Sequence, residues 1–161
     1  MTIAPFPVPP VVKTVMVRCP PERAFALFAE DFGLWWPVSR VHTGPDPVAC
    51  AIEPRVGGRV FERAGDGRET PWGTVLAYDP PHRLAFSWAV ELPAGLEQRV
   101  EIRFTSEDRG TRVELTHSGW EQLGEAAATL RKRYERGWAT VFESCFVVYA
   151  NGPQLEPRRQ Q

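Results

Sequence analysis

Three histidines, His42, His82 and His117, are the residues whose chemistry is weighed first, because imidazole moves protons and binds metals near neutral pH. Their spacing matches no H-E-x-x-H or other ligand pattern. Cys19, Cys50 and Cys145 form an odd set without C-x-x-C spacing, so neither a disulfide scaffold nor a zinc cluster is expected. There is no G-x-S-x-G elbow, and no cysteine stands in a papain-like context. Gly57-Gly58 is no phosphate loop, since no strand-to-helix junction with lysine and serine follows it; it reads as a bulge or bend in a sheet. No catalytic residue, metal or cofactor is therefore assigned.

His117 is the polar residue of most interest. Strand alternation puts it on one face with Val113 and Leu115, so it points inward. It is either a hydrogen-bonded structural histidine or a polar anchor in a cavity. One inward histidine without a carboxylate or oxyanion donor is too little for a mechanism. His42 falls in a loop and His82 in a turn, both read as solvated.

The aromatic residues carry more. Trp36, Phe61, Trp72 and Phe86 are joined by Trp88, Trp120, Tyr134 and Trp138. Together they exceed what a tight core of this size holds, which predicts a pocket lined by rigid rings. Ile102 and Phe104, inward on their strand, and Leu130, on the helix, complete the expected lining of a site for a small apolar or aromatic molecule. The strongest charge cluster is Arg131-Lys132-Arg133 with Arg136. It reads as a solvated helix face, or as a docking patch for an acidic partner centred on Lys132 and Arg136.

These residues need elements to hold them. A long helix is predicted over Leu123 to Tyr149. At about 100° per residue, Ala127, Tyr134, Trp138, Val141, Cys145 and Val148 share one face, and Lys132, Arg133 and Arg136 oppose them. Gly137 inside it costs about 1 kcal/mol relative to alanine, which implies close backbone approach or a bend that opens space. Ahead of the helix the period is two. Strands are predicted near 11–17, 50–54, 59–64, 70–79, 83–91, 97–106 and 111–118. Gly65-Asp66-Gly67, Asp79-Pro80-Pro81-His82, Pro93-Ala94-Gly95 and Asp108-Arg109-Gly110 supply the turns. Alternation is clean in the last two strands, as expected of a sheet with one covered face, whereas Val75-Leu76-Ala77 is ambiguous in register. Two short helices follow the first strand, one from Pro20-Pro21-Glu22 to about Ala29 and one over 31–37, stopped by Pro37. Residues 38–49 read as loop.

With 161 residues, 43% of them hydrophobic, one domain with a substantial core is expected. Residues 1–10 carry four prolines and read as an extended arm without the basic region of a signal peptide. Residues 11–152 form the domain, and 153–161 a polar tail. A net charge of −1 argues against nucleic-acid binding by bulk charge. No apolar run is long enough to span a membrane, so a soluble, cytoplasmic protein is expected.

Several motifs then form an ordered set: Glu53-Pro54-Arg55-Val56-Gly57-Gly58-Arg59, Trp72-Gly73-Thr74-Val75-Leu76, and the run Asp79-Pro80-Pro81-His82-Arg83-Leu84-Ala85-Phe86-Ser87-Trp88. Leu115-Thr116-His117-Ser118-Gly119-Trp120 and Gly137-Trp138 follow. Over about residues 11–150 the chain resembles the homologues of the activator of heat-shock-protein ATPase, within the START-like (SRPBCC) helix-grip superfamily. The resemblance implies an α+β helix-grip fold: a curved antiparallel sheet of about seven strands around a long C-terminal helix, with an apolar cavity between them. Such relatives include lipid carriers, aromatic polyketide cyclases, hormone receptors and co-chaperone domains, and fold does not fix function. The leading expectation is a binder of a small apolar or aromatic molecule. The alternatives are a co-chaperone-like activator of a heat-shock ATPase, and an enzyme of the polyketide cyclase or dehydratase type. The last needs polar groups converging in the cavity.

Overall fold

The structure, a computed structural model, describes residues 8–152; most of the predicted N-terminal arm and the predicted polar tail 153–161 lie outside the described residues. The fold is α+β, a curled antiparallel sheet closed over a C-terminal helix. Strand β1 (Val11–Val17) leads into helix α1 (Pro21–Ala29) and the single turn α2 (Phe32–Trp35). Strands β2 (Pro47–Ile52), β3 (Arg59–Ala64), β4 (Glu69–Asp79), β5 (Arg83–Trp88), β6 (Gln98–Glu107) and β7 (Gly110–Ser118) follow. They pair in the order β1-β7-β6-β5-β4-β3-β2. The turns behave as their residues require: Gly67 and Gly95 both sit at positive φ, 92° and 88°, where a side chain would be strained. Gly57, at φ 86°, turns the chain between β2 and β3 rather than bending a strand.

One half of the sheet is regular and the other is not. Pairings β1–β7, β6–β7 and β5–β6 run without a register shift. Pairings β2–β3, β3–β4 and β4–β5 each contain one. Extra residues of this kind bend a strand and increase its twist. Leu76 is the extra residue between Val75 and Ala77, which resolves the ambiguous register there: Val75 turns inward and Leu76 is exposed.

The C-terminal helix departs from the uniform one predicted. A 3-10 segment, Trp120–Ala126, contains Gly124 at φ 57° and ψ −124°, so the α-helix α3 begins only at Ala127 and runs to Trp138. A π-helical stretch, Ala139–Phe146, follows, and α4 (Val147–Asn151) ends the described chain. The i→i+5 bonds of a π-helix rotate the chain less per residue than an α-helix does. Side chains four apart therefore stay in line, and Trp138, Phe142, Phe146 and Ala150 are all buried. Val148, expected beside Val141 and Cys145, is 72% exposed for the same reason.

The core draws on both halves of the sheet, and its aromatic centre is Phe28. Phe28 of α1 packs against Phe32, Trp35, Phe104, Phe142 and Phe146. Among the described residues no helix is long and apolar enough to cross a membrane, and no group of three or more histidine, cysteine or acidic side chains is placed to hold a metal.

Candidate functional site

A pocket of about 670 Å³ lies between the bulged half of the sheet and α3. Trp72 reaches it because of a bulge. Val60 pairs with Gly73 and Phe61 with Pro71, which leaves Trp72 as the extra residue of β4. Gly73 is needed beside it, since a Cβ there would lie 1.7 Å from the Ser87 carbonyl oxygen. Trp88 stands at the end of β5, Tyr134, Gly137 and Trp138 on α3, and Thr140 and Val141 where the π-helix begins. Trp36, just past α2, closes another side.

Each indole is held by its N–H. Trp36 Nε1 donates to the Val41 carbonyl at 2.9 Å and Trp72 Nε1 to Glu62 Oε1 at 2.8 Å. Trp88 Nε1 donates to the Tyr134 hydroxyl at 2.9 Å and Trp138 Nε1 to His117 Nδ1 at 3.0 Å. The rings also touch one another, with centroids 5.2 Å apart for Trp36 and Trp72, 5.9 Å for Trp36 and Trp138, and 6.0 Å for Trp88 and Trp138. With their polar edges satisfied, the walls offer ring faces to whatever enters.

Glu62 is the buried charge behind this wall. Its carboxylate accepts from Thr43 N and Oγ1, from Gly44 N and from Trp72 Nε1, at 2.7 to 2.8 Å. Burial alone raises its pKa, but these donors outweigh burial and hold it below the usual carboxylate range. Glu62 thereby ties the loop of residues 37–46 to the sheet, and that loop contributes Arg40, Val41, His42 and Thr43 to the pocket. On the opposite rim, Glu91 pairs with Arg133 and lies 3.3 Å from the Tyr134 hydroxyl. Burial and Glu91 both push the Tyr134 hydroxyl up, burial more.

Of the residues predicted to line a cavity, Trp36, Trp72, Trp88, Tyr134 and Trp138 do. His117 does not. It is fully buried behind Trp138, and burial lowers its pKa to about 3. An indole N–H only donates, so Nδ1 accepts and Nε2 carries the proton that it gives to Gln98 Oε1 at 2.6 Å. Both ring nitrogens of His117 are thus engaged by protein groups. Phe61 lies on the other face of the sheet, because Val60 and Glu62 take the inner one; the Arg59 guanidinium covers its ring at 4.2 Å. Phe86, Ile102 and Phe104 point inward but are enclosed in the packed core. Leu130 is half-buried against that core, one position before Arg131, whose Nε and Nη2 donate to the Pro9 and Pro10 carbonyls. It too lies away from the pocket. Lys132 and Arg136 are exposed, and neither forms an ion pair among the described residues. Of the pocket residues that sequence reasoning did not single out, Arg40, Val41 and Thr43 sit in a loop where no periodicity marks an inward face, Thr140 starts the π-helical stretch, and Val90 and Glu91 lie past Trp88, where β5 ends short of the strand predicted to residue 91.

The sequence model of the family described as Activator of Hsp90 ATPase homolog 1-like protein matches residues 18–147. The chain belongs to this family. Several solved structures share its fold. A protein from Mesorhizobium loti is 22% identical, with a TM-score of 0.62, covering 85% of this chain and 93% of its own. The AHSA1-like protein from Aeromonas hydrophila is 19% identical, with a TM-score of 0.58, covering 85% and 88%. At these identities the likeness is one of fold. An anthrahydroquino-gamma-pyrone synthase, solved in complex with a ligand, is 34% identical with a TM-score of 0.53, covering 82% of this chain and 90% of its own. No curated protein matches the chain.

Proposed function

We propose that this AHSA1-like protein binds a planar aromatic molecule of the polyketide type in the pocket between its sheet and α3. The observation that carries the reading is the wall of four indoles, Trp36, Trp72, Trp88 and Trp138, each fixed by its own N–H bond around about 670 Å³. That volume suits a ligand of a few fused rings, since small-molecule sites span about 300–1,000 Å³. Walls already held in place lose little freedom on binding. The 34% identical synthase, whose name refers to a fused aromatic product, supports the same ligand class.

Gly137 supplies a second support. Glycine within a helix costs about 1 kcal/mol relative to alanine, yet a Cβ at Gly137 would meet no atom within 4 Å. Packing does not demand the glycine, and the position opens onto the pocket rather than onto packed atoms. The test is tryptophan quenching by a neutral anthraquinone, with the parent chain and Gly137→Phe. The parent is expected to saturate with micromolar affinity. Gly137→Phe is expected to melt no lower than the parent and to lose the quenching, because its ring occupies the pocket. Quenching that survives Gly137→Phe places the probe elsewhere and ends the reading.

A second reading, in which the bound molecule is also transformed, is favoured by one observation. The Tyr134 hydroxyl accepts from Trp88 and donates to Glu91 Oε1 at 3.3 Å, a hydroxyl–carboxylate pair among the pocket residues through which a proton can pass. Tyr134→Phe, with turnover of an aromatic polyketide followed by mass spectrometry, separates the two: a pure binder keeps its affinity and shows no turnover in either form.

A further inference from the structure

We propose that the ligand carries an acidic group, a carboxylate or an ionised phenol, which Arg40 receives at the mouth of the pocket. The inference rests on the aromatic-binding reading above. The side chains lining the pocket include two guanidiniums, Arg40 and Arg133, and one carboxylate, Glu91. Glu91 is taken by Arg133 and approached by the Tyr134 hydroxyl. Glu62, close behind the wall, already accepts from four donors. Arg40 forms no ion pair and no side-chain hydrogen bond among the described residues. One positive charge at the mouth is therefore left for the occupant to answer.

The placement of Arg40 is framed on both sides. Its backbone N–H donates to the Pro37 carbonyl at 2.9 Å, and Val41 N–H donates to the same oxygen at 2.8 Å. Val41 then receives the Trp36 indole, and Thr43 is bound to Glu62. The loop thus shares its anchors with the aromatic wall, so rings against Trp36 and a charge at Arg40 fit one molecule. An aromatic body that covers the mouth also strips water from the guanidinium, which penalises neutral ligands and more so cationic ones. The planar fork of arginine matches a carboxylate in a way that an ammonium does not.

The experiment compares anthraquinone-2-carboxylate with anthraquinone-2-carboxamide by tryptophan quenching, at low salt, for the parent chain, Arg40→Gln and Arg40→Lys. The acid is expected to bind the parent about three- to tenfold more tightly than the amide, the scale of a partly solvated charged contact. Arg40→Gln should erase that preference, Arg40→Lys should keep part of it, and about 0.5 M salt should narrow it in the parent. All three are expected to melt alike, since the side chain is exposed. Equal binding of acid and amide to the parent overturns the inference and leaves the aromatic site standing. A preference that persists in Arg40→Gln overturns the role of Arg40. Failure of both probes to bind overturns the aromatic reading along with the inference.

Discussion

Two ends of the space under the sheet are built from rings, and they are built differently. At one end phenylalanines meet: Phe28 touches Phe32, Phe104, Phe142 and Phe146, and the last two stack at an interplanar angle of 2°. At the other, tryptophans stand around a pocket of about 670 Å³. Phenylalanine has no polar atom, so it can be enclosed on every side. Tryptophan carries one N–H that must find a partner when buried. Satisfying it fixes the ring by its edge. The phenylalanine end lies under the regular strands and the tryptophan end beside the bulged ones. Packing and opening thus fall beside two kinds of strand pairing, with Trp35 enclosed among the phenylalanines at the packed end.

The division is broken most severely by emptying the solid end. Phe28→Ala is expected to cost about 3–5 kcal/mol, through lost burial and the cavity left behind. Chemical denaturation measures this, and the remaining folded protein should bind an anthraquinone as the parent does. A matching loss of affinity would show that the two ends are one unit.

A smaller effect comes from His117, which lies between the ends. Its pKa is about 3 in the folded protein and about 6.5 when free of burial. Between those values the unfolded chain holds the extra proton. Stability from this group is thus fully present above about pH 6.5 and declines as the pH falls toward 3, by up to about 1.4 kcal/mol per unit. From pH 6.5 to 5 the parent should lose about 1.5–2 kcal/mol more in urea titrations than His117→Gln does. Equal slopes would mean that the imidazole can be protonated in place, and that the Trp138 indole lacks the acceptor described here.

The smallest effect is expected on the outer face of α3. Lys132→Glu with Arg136→Glu should change stability by under about 0.5 kcal/mol and leave ring binding untouched. Loss of binding to a heat-shock ATPase in that variant would move the functional surface from the pocket to the helix exterior.

Much of the sheet was legible because alternation reports one covered face, and β6 and β7 follow it residue by residue. Phe61 misled because its neighbour Glu62 reverses the usual rule: the carboxylate faces the helix side, held by four donors, and the ring is buried on the opposite face of the sheet beneath the Arg59 guanidinium. Val148 misled because a change of helical pitch leaves no mark on a projection that assumes a single one. The rim residue Arg40 was silent for a third reason, whereas Glu91 stood in a strand predicted to residue 91 that ends at Trp88. Loops are placed by tertiary hydrogen bonds, and the acceptor that places residues 37–46 lies nineteen positions further along the chain from Thr43.

The contacts among the indoles also have an optical consequence. Trp36, Trp72, Trp88 and Trp138 form a connected set with centroids 5.2 to 6.4 Å apart. Trp35 joins the set through Trp36 at 6.0 Å, and at such separations an excited singlet migrates from ring to ring within its lifetime, so the rings emit as one chromophore. A single absorbing guest among them drains the whole set. If the proposed guest binds, the intrinsic emission would report occupancy without any attached dye.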